Sequence, residues 1–80
     1  MKKDYMVTTY STFEEEIYNT LTEARKRARA LSKEYGEATI HRWVQIYADV
    51  EEKEYDESFQ IIYENGIDTS KPTRKKVRLL

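Results

Sequence analysis

Between Thr20 and Gly36 the chain carries one stripe of apolar side chains at helical spacing, in an 80-residue sequence whose other apolar segments alternate as strands do. Leu21, Ala24, Ala28, Leu31 and Tyr35 are spaced three, four, three and four, so all five fall on one side of a helix with 3.6 residues per turn. Thr20 followed three residues later by Glu23 forms a capping box, and Gly36 is a stop signal. The spacing predicts a helix over 21–35. Ala24 and Ala28 are small enough to let its backbone approach a flat partner such as a sheet, while Leu21, Leu31 and Tyr35 supply contact area at the ends. The opposite face carries Arg25, Lys26, Arg27, Arg29 and Lys33. Glu23 is placed to pair with Arg27 at i,i+4, whereas Arg25 with Arg29 and Arg29 with Lys33 are like-charge pairs that cost a few tenths of a kcal/mol.

The segments on either side are rich in β-formers. Tyr5 to Tyr10 reads as one strand and Glu15 to Asn19 as a second, with Ser11 to Glu14 as the turn. After the helix, Glu37 to Ala48 is the longest β-prone run and is expected to be a central strand. Alternation puts Ile40, Val44, Ile46 and Ala48 on one face, interrupted by Arg42, and Thr39, His41, Trp43, Gln45 and Tyr47 on the other. The first set suits the face beneath the helix. A fourth strand is expected from about Ser58 to Glu64, with Phe59, Ile61 and Tyr63 on one side and Gln60 and Ile62 on the other. Asn65-Gly66 favours a tight type I′ turn, after which Ile67-Asp68-Thr69 folds back as a short fifth strand limited by Pro72. Residues 49–57 read as an acidic connection between strands.

The element order is therefore β-β-α-β-β, an α+β fold with one antiparallel or mixed sheet and a single helix on one face. One helix cannot cover both faces of a sheet, so the other is exposed or shared. The length allows one domain, assigned to residues 1–69, with 70–80 as a basic tail or arm. No apolar run approaches the ~20 residues needed to span a bilayer, and no secretory signal is visible. The absence of cysteine removes disulfides and thiolate chemistry and suits a reducing, cytoplasmic setting.

The formal net charge of −1 hides unequal blocks. Residues 1–48 hold eight Lys/Arg against seven Asp/Glu, residues 49–69 hold one against eight, and residues 70–80 hold five against none. Such runs are either solvated surface or a pair of docking surfaces of opposite sign.

Catalysis has no visible machinery. His41 is the lone histidine, with no serine or acid placed near it in a recognisable triad, and its position in a strand fits a cross-strand or surface contact. One histidine, no cysteine and unspaced carboxylates give no metal set, and two glycines exclude a Gly-rich phosphate loop. No cofactor is expected.

Seven Tyr, two Phe and one Trp are many for 80 residues. They either build a small core or stand on the helix-free face. The second reading puts Trp43 and Tyr47 there with His41 beside them, joined by Phe59 or Tyr63, and gives Glu51, Glu52 and Glu54 the role of steering a protein partner. The competing reading is a nucleic acid, held by Arg25, Arg29 and Lys33 of the helix and by Arg74, Lys75 and Lys76 of the tail. Acidic residues beside the central strand would repel phosphates, so protein binding ranks first. A homodimer through the same face is a third possibility.

Over residues 20–42, the Thr-capped, Ala/Arg-rich helix followed by a strand containing Ile40-His41 resembles small, uncharacterised β-β-α-β accessory proteins of bacterial and phage genomes. The likeness covers about a third of the chain and carries no catalytic residue. It implies a small non-enzymatic protein, phage-encoded in origin, that engages and inhibits or modulates a host protein. The acidic segment, the Asn-Gly turn and the basic tail depart from that pattern.

Overall fold

The computed structural model describes residues 3–12, 14–45, 49 and 52–70. Its elements are β1 (Lys3–Thr8), β2 (Glu15–Tyr18), α1 (Leu21–Tyr35), β3 (Glu37–Gln45), β4 (Lys53–Glu64) and β5 (Ile67–Asp68). The strands form one sheet in the order β2-β1-β3-β4-β5, with every neighbouring pair antiparallel. β1 thus lies between β2 and β3, and α1 carries the chain across it.

The helix starts and stops where its local chemistry dictates. Thr20 is extended, and its hydroxyl accepts the Glu23 amide at 3.3 Å and donates to the Glu23 carboxylate at 3.2 Å, so one amide left free by the first turn is satisfied. Gly36 takes a left-handed conformation at φ 99° and returns its amide to the Ser32 carbonyl at 2.8 Å. The Asn65-Gly66 turn has positive φ at both residues, 51° and 88°, as a tight hairpin requires.

Helix and sheet meet over small residues. Ala24, Ala28 and Leu31 of α1 are buried against Tyr5 and Val7 of β1, Ala38 and Ile40 of β3, and Ile61 and Tyr63 of β4. Val7, Ile40 and Ile61 lie opposite one another across three strands, forming a continuous apolar row beneath the helix. Tyr18, Leu21 and Phe59 close the margin. The alanines bring the backbones close, and the large ring of Tyr63, opposite Ala38, fills the space left beside them.

β4 differs from expectation. It begins at Lys53, so the second half of the supposed acidic connection is strand. Carboxylates are poor β-formers, which hid it. Pairing with β3 continues through an irregularity: His41 faces Gln60 and Trp43 faces Tyr55, so Arg42 alone spans the stretch occupied by residues 56–59. That bulge is held by charge. The Asp56 carboxylate accepts the Arg42 Nε–H at 2.9 Å, and its other oxygen accepts the Ser58 amide at 3.0 Å and hydroxyl at 2.6 Å. Among the described residues, no helix is long and apolar enough to cross a membrane.

Candidate functional site

Cross-strand partners share a face, so the register defines what stands opposite the helix. Tyr5 and Val7 point beneath α1, which turns Asp4, Met6 and Thr8 outward. Their partners Trp43, His41 and Thr39 on β3, and Ile17 and Glu15 on β2, share that outer face. Tyr55 and Gln60 join them from β4. Among the described residues no element lies over this face.

Its centre is a series of rings. Tyr55 lies between His41 and Trp43, with ring centroids 5.8 and 5.5 Å away and tilts of 57° and 51°, the offset arrangement that aromatic pairs prefer. The Tyr55 hydroxyl is 3.3 Å from His41 Nδ1. Burial holds the His41 imidazole below its ordinary titration range, with the Glu15 carboxylate opposing the shift, so the ring is neutral at pH 7. Trp43 is half-buried, Tyr55 is 41% exposed and Ile17 is 55% exposed. Lys53 crosses to Asp4 at 2.9 Å at one border. The result is an apolar and aromatic strip bounded by charges.

His41 and Trp43 stand where alternation placed them. Two other expected members do not. Tyr63 and Phe59 lie on the helix side: Tyr63 is fully buried, and Phe59 packs 5.8 Å from the Tyr5 ring with the Arg42 guanidinium 4.3 Å above its own. Alternation along β4 gave two faces without saying which one met the helix, and pairing of Tyr63 with Ala38 decides it. Tyr47 and Glu51 lie outside the described residues, and Glu52 and Glu54 are exposed. Tyr55 was missed because it sits within the acidic run. Its signal was there, an aromatic flanked by Glu54 and Asp56 in alternation.

Two of the helix cations are bonded within the fold. Arg25 donates to the Tyr63 hydroxyl and to Asp68, both at 3.1 Å, and Arg27 grips the Glu16 carboxylate with two bonds of 2.8 and 3.1 Å. The Arg29 guanidinium lies 5.8 Å from the Tyr63 ring, and the Lys33 stem passes over Gly66. Arg25 is therefore tied to β4 and β5, whereas Arg29 and Lys33 lie beside the same strands and remain exposed. Arg74, Lys75 and Lys76 lie outside the described residues. Among the described residues, no group of three His, Asp or Glu is arranged to hold a metal ion.

At one end of the outer face the strip gives way to a hollow of about 250 Å³, lined in part by Thr8, Glu15, Thr39, His41 and Gln60. Glu37 stands at its wall with its carboxylate held by the Tyr10 amide at 2.6 Å. Comparison of the chain with protein-family models, with curated proteins and with solved structures finds no match.

Proposed function

We propose that this chain is a non-enzymatic module that binds another protein through the helix-free face of its sheet. Trp43, Tyr55 and His41 form the centre of the contact, with Met6 and Ile17 beside them. The observation that carries this reading is the ring series on a sheet face that no described element covers. Aromatic side chains bury large areas with few rotatable bonds, which is why Trp and Tyr dominate the energetic centres of protein interfaces. Exposed Glu52 and Glu57, near Tyr55 in the chain, supply negative charge that speeds encounter with a basic partner, whereas Glu54, paired with Val44, lies on the helix side.

Arg25 and Arg27 are bound internally, which weighs against a phosphate-tracking role for the helix. The test is affinity capture with wild type, Trp43→Ala and Tyr55→Ala, each first shown to unfold cooperatively. Loss of the same captured protein in both folded variants supports the reading. An unchanged capture would refute it. Conversion of a wild-type dimer to monomer by Trp43→Ala, seen by light scattering, would replace the foreign partner with a second copy.

A further inference from the structure

The hollow beside the ring series is built from the sheet itself. Thr8 of β1 and Thr39 of β3 are direct cross-strand partners on the outer face, and Glu15 of β2 is the next residue in that row. Two short side chains side by side make a low floor. His41 and Gln60, also paired, form the next row and stand above it on one side, and Glu37 closes another, giving the space of about 250 Å³.

The chemistry of this space is one-sided. Among the described residues its two charged lining groups, Glu15 and Glu37, are both carboxylates. Glu37 is already bonded to the Tyr10 amide, whereas the carboxylate of exposed Glu15 has no hydrogen bond or ion pair to another described residue. The Thr8 and Thr39 hydroxyls and the Gln60 amide add neutral hydrogen-bonding groups, and among the described residues no lysine or arginine lines the space. The space suits an entering side chain that is itself charged, because a carboxylate gains most from a charged donor.

We propose that this hollow receives an arginine side chain of the protein partner, with the guanidinium on Glu15 and its remaining donors on the threonine row. Arginine fits better than lysine: its planar fork offers five donors to several acceptors around one space and lies flat against a neighbouring ring such as His41. The hollow opens on the same face as Trp43, so one partner segment reaches both the rings and the carboxylate. The inference rests on the protein-binding reading and gives that partner its chemistry.

The test needs no partner. N-acetyl-arginine-amide is titrated into the ¹⁵N-labelled chain and amide shifts are followed. Saturable shifts confined to Thr8, Glu15, Thr39, His41 and Gln60 are expected, with binding about tenfold weaker in Glu15→Gln. N-acetyl-glutamine-amide, which lacks the charge, is expected to leave these resonances in place. Scattered or absent shifts, equal binding by Glu15→Gln, or the same response to the glutamine compound would overturn the proposal. Trp43→Ala is expected to leave this titration unchanged while abolishing capture of the partner, so the two readings fail separately.

Discussion

The Ser32 hydroxyl accepts the amide of Gly66 at 2.8 Å and donates to the Arg29 carbonyl at 3.0 Å, so one buried side chain ties the last turn of α1 to the β4–β5 turn. The Asn65 amide reinforces this link by donating to the Gly36 carbonyl at 3.1 Å. Ser32→Ala leaves the Gly66 amide without its acceptor in a partly buried place. A loss of about 1–3 kcal/mol in unfolding free energy is expected from denaturant titration, with faster amide exchange at Gly66.

Gly66→Ala is expected to destabilise the fold by about 1–2 kcal/mol, because φ 88° is unfavourable for a residue with a Cβ. A Cβ there would also come within 2.7 Å of Lys33 Cε. That atom belongs to a flexible chain and can move, so the double variant with Lys33→Ala should recover little of the loss. Full recovery would mean that crowding, not backbone conformation, sets the cost.

Two large rings should respond differently to truncation. Tyr63 is buried beneath the helix, and Tyr63→Ala is expected to cost about 3–5 kcal/mol. Trp43 is half-buried on the outer face, where truncation opens no enclosed cavity, and Trp43→Ala should cost about 2 kcal/mol. Thermal melts of the two variants under the same conditions would show the difference, and similar losses would place Trp43 among the structural rings.

Asp56 is held down to about 2 from an ordinary 3.8, first by the Ser58 hydroxyl and then by Arg42. A folded-state value below the unfolded one means the unfolded chain takes up protons first. The stabilisation is therefore complete above about pH 4 and is lost as pH falls through about 2. Carboxyl NMR titration should find Asp56 rising toward its ordinary value in Ser58→Ala, with a smaller rise in Arg42→Gln.

His41 titrates below its ordinary value of 6.5 because burial disfavours the cation, against the pull of Glu15. The unfolded chain again binds its proton first, so stability should fall as pH drops below about 6.5. Melting temperatures across this range should decline for wild type and stay flatter for His41→Gln. Glu15→Gln removes the opposing charge and should lower the His41 value further.

The parts of the fold written in short-range chemistry were legible. Thr20, Glu23 and Gly36 mark both ends of α1, and alternation put His41 and Trp43 opposite Ile40 without reference to other strands. What depends on pairing was not. The start of β4 lay hidden among carboxylates because its strand character comes from β3 alongside, and the Arg42–Asp56 contact joins residues whose partnership no local pattern announces. Tyr63 was assigned to the wrong face for the same reason. Ser32 lies beside the apolar stripe of the helix, and nothing local shows that a turn more than thirty residues later needs its oxygen.

The placement of β1 makes the amino-terminal strand the keystone of assembly. β2 and β3 both run opposite to β1, so they are parallel to each other with a one-strand gap between them. Until Lys3–Thr8 fills that gap, α1 bridges two separated pieces and lacks the Tyr5 and Val7 surface on which it rests. Trimming the amino terminus would therefore split the sheet down its length instead of shortening an edge, and a peptide supplying that strand in trans should restore it.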